Sequence, residues 1–451
     1  KGAFMYAAFG APLAHENDPA RALQAALSLR NESVDQTAYI TPLRIGLTRG
    51  TAWTGNYGGY GRFTYGVISS DVNLSARLMG KAEPGQILVS ERMGQYPGFR
   101  FEHIGDLVYK GFETPLPTYS LLGEQVEDRR IFQTAMVGRE AKLEKLEMFA
   151  QPLFQNRLAG AAIIYGEPGI GKSRLAYALQ QMLGERVSWF TGQTDQILHQ
   201  AFNPFVHWLK RYFNQLSDST PEQNKTNFES RLNQIGDNLR SMVVKPRPSS
   251  TNLQTELTRT RSFLGALLGL YWTNSLYAQL TDPKLRYENT INAIKTLLLA
   301  ESQLRPIVFE LEDGHWLDEP SREMLLALSR NVTAYPLLII ITSRYNDDGS
   351  QPAFSLDQEM PTLILDLEAL PHEALVQQAA TILEGTISSA LMTLLWERSR
   401  ANPFFAEQIL LHFRETGALI QTSTGEWEVQ PGSITLSADV HTMLVARIDR
   451  L

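Results

Sequence analysis

The stretch Gly166-Glu167-Pro168-Gly169-Ile170-Gly171-Lys172-Ser173 has the residue types and spacing of a phosphate cradle. Glycines at these positions let successive backbone N–H groups turn inward on an anion at the start of a helix. Lys172 would then reach the β and γ phosphates, and the Ser173 hydroxyl would hold Mg²⁺. Binding phosphate is not yet chemistry on it, which needs carboxylates at the end of a neighbouring strand. Glu312 and Asp313 follow the apolar run Pro306-Ile307-Val308-Phe309-Glu310-Leu311 and fit that place. One acid would support the Mg²⁺ shell while the other polarises the attacking water. Arg344, closing the run Ile341-Thr342-Ser343, is placed to sense a γ-phosphate.

The elements needed to position these residues are legible around them. Ala161-Ala162-Ile163-Ile164-Tyr165 leads into the loop as a buried strand, and Arg174-Leu175-Ala176-Tyr177-Ala178-Leu179 leaves it as a helix. Val187 to Thr191 and Leu337 to Ile341 read as further core strands, and Leu285 to Leu304 as a long helix. Strands separated by helices imply a parallel sheet with ligands at the carboxyl ends of its strands. Asp318 and Glu319 suit the N-terminus of the next helix, whereas His315 and Trp316 are expected to serve packing. From Pro371 onward the pattern is mainly helical, with Gly425 to Val429 as one arm of a small hairpin. Leu216 to Asn252 is rich in Asn, Gln, Ser, Asp and Pro and reads as a mobile surface insertion.

Ahead of this lies a mixed segment. Ala3 to Phe9, Pro42 to Trp53, Phe63 to Ile68, Gln86 to Ser90 and the stretch Phe101 to Tyr119 carry strand patterns. Asp18 to Leu29 and Asp71 to Met79 carry helical ones, Asp18 being a suitable N-cap. Interleaving of this kind predicts an α/β or α+β unit. Glu124 to Ala135 is polar and reads as a linker.

The 451 residues exceed one ordinary core and suggest about three domains. Hydrophobic residues at 43% and charged ones at 20% describe a globular chain, and a net charge of −7 offers no basic footprint for nucleic acid. Without cysteine there are no disulfides or thiolate metal sites, which fits a reducing, cytoplasmic setting. No apolar run approaches the roughly 18 residues of a membrane span. Lys1 at the start and Leu451 inside a helical pattern suggest a fragment at both ends.

From Val137 to Leu451 the chain resembles the signal-transducing ATPases with numerous domains, P-loop proteins that act as nucleotide-driven switches. Val137-Gly138-Arg139-Glu140 is similar to the family's entry motif near the adenine. Glu312-Asp313-Gly314-His315-Trp316-Leu317-Asp318-Glu319 is similar to its acidic strand end, and Thr342-Ser343-Arg344 to its sensor strand. Asn402-Pro403-Phe404-Phe405 is similar to the segment whose proline touches the adenine before a winged-helix region. Ala401 stands where a glycine is commoner, and Glu312 where an aspartate is frequent.

Lys1 to about Gly123 resembles the class III nucleotidyl cyclases. The resemblance runs through Phe4 to Pro12, His15 to Ala22, Leu43 to Gly50, Tyr65 to Leu78, Ala82 to Ser90 and Lys110-Gly111. It implies that Asn73 and Arg77, four apart on one helix face, stabilise the transition state of attack on the α-phosphate. Physically, an Asn can orient the ribose and an arginine can neutralise charge growing on phosphoryl oxygens. Two metal-holding aspartates are implied before or at the edge of Lys1, so the segment is half of a cyclase. Ser69-Ser70 replaces a frequent Gly-Asp pair.

These readings predict an α/β chain with four parts. They are a partial ferredoxin-like cyclase domain over 1–123, a linker over 124–136, an ATPase with helices on both faces of a parallel sheet over 137–350, and a helical lid entering a winged-helix region over 351–451. The expected ligands are ATP and Mg²⁺, with a nucleoside triphosphate as cyclase substrate. A homodimer or pseudo-dimer would form through the cyclase segment, and a protein partner would bind through a region beyond the C-terminus. The leading expectation is an ATPase switch controlling an adenylate cyclase. The alternative is a regulator in which the cyclase-like segment only dimerises and the ATPase drives oligomerisation.

Overall fold

A computed structural model describes residues 5–10, 18–35, 42–50, 52–59, 62–96, 98–112, 114–124, 136–194, 201–215, 219–241, 248–415, 417–423 and 425–430. They form two compact units, one drawn from Lys1–Arg129 and one from Arg130–Gln215 together with Thr220–Thr435. The expected linker lies almost wholly outside the described residues, as does the winged-helix region beyond residue 430.

The first unit contains α1 (Asp18–Asp35), β1 (Ile45–Leu47), β2 (Trp53–Gly59), β3 (Arg62–Ile68), α2 (Ser70–Lys81), β4 (Ile87–Ser90), α3 (Glu91–Gly94), β5 (Phe99–Leu107) and β6 (Leu116–Glu124). Its main sheet has the order β1-β4-β6-β5, with β1 parallel to β4 and the other pairs antiparallel. β2 and β3 form a separate antiparallel hairpin. One core joins Leu23 and Leu27 of α1 to Ile87 and Val89 of β4. Another joins Leu74 and Leu78 of α2 to Leu88 and Tyr109, the last bonded through its hydroxyl to Thr118 Oγ1 at 2.8 Å. β1 runs so close to α2 that a Cβ on Gly46 would lie 2.1 Å from the Ser75 carbonyl oxygen, so only glycine fits there.

The strand expected over Ala3 to Phe9 is not found. Residues 3–4 lie outside the described residues, and Met5 to Phe9 pair with no strand among those described. Met5, Tyr6 and Phe9 are exposed, so their apolar character reflects no sheet contact within the described chain.

The second unit begins with α4 (Glu140–Ala150), β7 (Gly160–Gly166), α5 (Lys172–Leu183), β8 (Ser188–Gln193), α6 (Asn203–Tyr212), α7 (Pro221–Ser241), α8 (Pro248–Leu267) and α9 (Leu276–Gln279). It continues with α10 (Pro283–Leu304), β9 (Ile307–Glu312), α11 (Glu319–Ser329), β10 (Leu337–Ser343) and β11 (Thr362–Leu367). It ends with α12 (His372–Leu383), α13 (Ser389–Ser399), α14 (Pro403–Glu415) and the hairpin β12 (Leu419–Gln421) and β13 (Trp427–Val429). The five long strands form one parallel sheet in the order β11-β7-β10-β9-β8. β7 and β10 are buried at every position, as a sheet covered on both faces requires.

Alternation divides each central strand between two cores. Ala161, Ile163, Ile339 and Ile341 pack with residues of α6, α7, α8, α10 and α11. Ala162, Ile164, Leu338 and Ile340 pack with residues of α4 and α5 on the other face. Each fully buried Ile or Leu contributes roughly 1.5–3 kcal/mol. α7 corrects the reading of Leu216 to Asn252 as a mobile insertion. Its Phe228, Leu232, Ile235 and Leu239 are buried at helical spacing and belong to the first of these cores. One stripe of four apolar residues suffices to hold a helix whose remaining face is Asn, Gln and charge, so composition disguised it.

Candidate functional site

The glycine loop sits between β7 and α5, at the carboxyl edge of the parallel sheet. Gly166, Gly169 and Gly171 all have positive φ, at 158°, 73° and 102°. Gly171 is the N-cap of α5 and lends the helix no side-chain cap, so the amides of the first turn are left for an anion. Ile170 is buried against the sheet, and Ser173 lies in the first turn of α5. The Lys172 side chain is buried, 7% exposed, and its Nζ donates to the carbonyls of Gly166 and Glu167 at 2.8 and 3.0 Å. The ammonium is thus held over the loop Gly166-Glu167-Pro168-Gly169.

Two more segments close on this loop. Arg139 precedes α4 and is 8% exposed. Its Nη2 donates to the carbonyls of Ile170, at 3.4 Å, and of Glu368 just past β11. Burial pulls this guanidinium below the usual arginine range, while Glu368 and Glu140 act the other way. Its Nε is buried with no hydrogen-bond partner among the described residues. From the lid, Asn402 donates through Nδ2 to the Pro168 carbonyl at 2.9 Å. Its Oδ1 meanwhile accepts from the amides of Phe404 and Phe405, capping α14. Pro403, the first residue of α14, therefore stands beside the loop, its carbonyl bound by Gln378 Nε2. Ala401 has φ 56°, the left-handed region that an L-residue enters at a cost. That is the physical reason a glycine suits this position.

The acidic strand end is pinned from both sides. Asp313 follows β9 in a left-handed conformation, φ 52°, and its amide donates to Thr342 Oγ1 of β10 at 3.2 Å. Thr194, after β8, donates to the carbonyls of Glu312 and Asp313 at 2.9 and 2.8 Å. His315 Nδ1 accepts from the Arg344 amide at 3.4 Å, tying the acidic turn to the end of β10. Burial, helped by Arg344 and Lys172 and opposed by Asp313, lowers the imidazole pKa to about 4. At neutral pH the ring is uncharged. Trp316, expected to serve packing, is 41% exposed, and its ring lies against that of His315 with centroids 4.8 Å apart. His315 lies in the charge field of Lys172, Asp313 and Arg344.

Asp318 does what helix-end charge predicts and more. It accepts from the Ser321 amide as N-cap of α11 and from the amides of Phe202 and Asn203 at the start of α6. Thr194 and Asn402 were invisible as contacts because each acts on a carbonyl far away in sequence. Only the Asn-Pro pair hinted at the second.

Asn73 and Arg77 lie together on the exposed face of α2, opposite the buried Leu74 and Leu78. Ser69 caps this helix, its Oγ accepting from the Val72 amide at 3.2 Å, which gives the first serine of the Ser69-Ser70 pair a structural task.

The second unit's loop fits a nucleotide phosphate by its own features: uncapped amides at α5, a buried lysine, and an orphaned Nε on Arg139. Among the described residues no three His, Asp or Glu cluster to hold a metal alone. Among the described residues no helix is long and apolar enough to cross a membrane.

Comparison with known proteins agrees with both halves of this picture. Residues 2–123 match the family model described as the adenylate and guanylate cyclase catalytic domain, and residues 135–340 match the AAA ATPase domain. An uncharacterized protein of Rhizobium meliloti is 26% identical over 62% of this chain and 26% of its own length. Adenylate cyclase type 10 of Mus musculus is 20% identical over 91% of this chain and 25% of its own. The chain thus spans about a quarter of the length of these curated relatives. A signal transduction ATPase with numerous domains and a tetratricopeptide repeat sensor, from Pyrococcus horikoshii, aligns over 71% of this chain and 34% of its own. Its identity is 15% and its TM-score 0.33. The chain joins, in series, a region of the adenylate and guanylate cyclase catalytic domain to an AAA ATPase domain.

Proposed function

We propose that residues 137–350 bind ATP with Mg²⁺ and act as a nucleotide-driven switch, with 351–451 as a lid running into a winged-helix region. The switch governs a class III cyclase, represented by residues 1–123 and joined through the linker 124–136, that forms cyclic AMP from ATP. One observation carries the reading: Lys172, Arg139 and the lid residue Asn402 all bond to the single loop Gly166 to Ile170. A lid fastened to the phosphate loop is where the state of a nucleotide becomes a movement of helices.

In this reading Lys172 leaves the loop carbonyls to meet the β and γ phosphates, and the amides from Gly169 to Ser173 surround the anion. Ser173 Oγ and the carboxylates of Glu312 and Asp313 hold the Mg²⁺ shell, and Asp313 orients water. Arg344 faces the terminal phosphate, while Arg139 and Pro403 border the base. Mg²⁺, when bound, neutralises charge on the phosphoryl oxygens. In the cyclase segment Asn73 orients the ribose and Arg77 takes up phosphoryl charge. The active cyclase is a homodimer or pseudo-dimer in the cytoplasm, with a protein partner received through a C-terminal region. The preference for adenylate rests on the similarity to the mouse adenylate cyclase.

The test is calorimetric titration of ATP into the chain and its Lys172→Ala variant, paired with cyclic AMP assays of the full-length parent carrying Asn73→Ala or Arg77→Ala. Unchanged ATP affinity in the first variant would refute the switch site. Unchanged cyclic AMP formation in the other two would leave a scaffold in place of a cyclase.

A further inference from the structure

His315 has two ring nitrogens in very different positions. Nδ1 accepts a hydrogen bond from the Arg344 amide, so it carries no proton. A neutral imidazole must then carry its proton on Nε2. Nε2 is buried, with no hydrogen-bond partner among the described residues. A buried donor left without an acceptor costs about 1–3 kcal/mol. The ring is held on a fixed turn: Asp313 is left-handed, and the backbone on either side of it is tied by hydrogen bonds with Thr194 and Thr342. An unsatisfied donor on this turn, at the sheet edge where β7 opens into the phosphate loop and β10 ends at Arg344, marks a place prepared for an acceptor.

We propose that His315 reads the terminal phosphate of a bound nucleotide, its Nε2–H donating to a γ-phosphate oxygen while Nδ1 passes the contact to the backbone of Arg344. This rests on the reading of the loop as a nucleotide site and assigns that site its triphosphate-against-diphosphate discrimination. An uncharged donor suits the task. It recognises an oxygen without adding a further cation to Lys172 and Arg344, and its second nitrogen couples occupancy to the sensor strand. The residue is a binding and positioning group, since no proton need leave it.

Two substitutions separate the two nitrogens. In His315→Asn the amide oxygen can replace Nδ1 while the Nε2 donor is lost. In His315→Gln the longer side chain can return a donor to the Nε2 place. Calorimetry with ATP and with ADP is expected to show the ATP-to-ADP affinity ratio falling about 10-fold or more in His315→Asn, the effect of one hydrogen bond to a charged acceptor. In His315→Gln the ratio should stay within about threefold of the parent. A ratio unchanged in His315→Asn overturns the proposal, as does an equal loss in both variants, which marks a structural role. Nitrogen-15 spectra of histidine-labelled, nucleotide-free protein, assigned by difference from His315→Gln, give a readout independent of ligand. The Nε2–H tautomer is expected, and the Nδ1–H tautomer overturns the proposal. If Lys172→Ala and parent bind neither nucleotide, the site reading itself has failed. Nucleotide binding with an unmoved ratio refutes the role of His315 alone.

Discussion

The two units hold their chemistry in opposite ways. In the second, Gly166 to Ser173, Arg139, Glu312, Asp313, Arg344 and Asn402 come from segments spread over more than half the chain and are fixed by hydrogen bonds between backbone groups and the side chains of Arg139, Thr194, Thr342 and Asn402. In the first, Asn73 and Arg77 share one face of one helix and are exposed. A site assembled across a sheet reports on its fold, because moving any strand moves a ligand. A pair on a helix face reports on its helix alone and becomes a site only when something is brought against it. The same contrast explains the burial: Lys172 is enclosed by its own unit, whereas Arg77 stays in solvent.

Five substitutions would break or sharpen this contrast. The largest effect is expected for Lys172→Ala, with ATP affinity falling at least about 100-fold, since the lost contact is a charge-assisted one in a buried site. Calorimetry measures it, and a smaller change would mean that the enclosed lysine serves the loop only. Next, Ile340→Ala removes a fully buried side chain on β10 and should cost about 2–5 kcal/mol. In denaturant unfolding the second unit should melt earlier, and nucleotide affinity should fall with it if the sheet sets the site. Asp318→Ala takes the cap from α11 and the acceptor from the start of α6, costing ~2 kcal/mol in the same experiment. Smallest in stability is the pair Asn73→Ala and Arg77→Ala, each within about 0.5 kcal/mol of the parent because both side chains are exposed. A larger destabilisation by either would show that α2 uses these residues in its own packing.

How much of this could be read in advance depended on the range of the physics involved. The strand-loop-helix around Lys172 was legible because glycine spacing, an apolar run and helical periodicity are local signals. The helix bearing Asn73 and Arg77 was legible for the same reason, Leu74 and Leu78 marking its buried side. The strands β8, β9 and β10 announced themselves by apolar runs, and Asp318 by its place before α11. α7 was missed because a polar composition hid four apolar residues at helical spacing, and in the strand expected over Ala3 to Phe9 the described part, Met5 to Phe9, pairs with no described strand because an apolar run need not find a sheet.

The sequence by itself determined the identity of the local devices: a phosphate loop, an acidic strand end, a polar sensor strand and a helix with Asn and Arg on one face. Only the tertiary structure decided their company. The parallel order β11-β7-β10-β9-β8 brings the ends of β9 and β10 beside β7. That order makes a partner of Thr194 for Glu312 and of Arg344 for His315, while the packing of the helices after β11 makes one of Asn402 for Pro168. Those bonds join a side chain to a backbone group, or the reverse, and backbone groups are the same at every residue, so no pairing of residue types foretells them. Chain topology selects them, and with them it turned His315 from expected filler into a buried donor facing no acceptor.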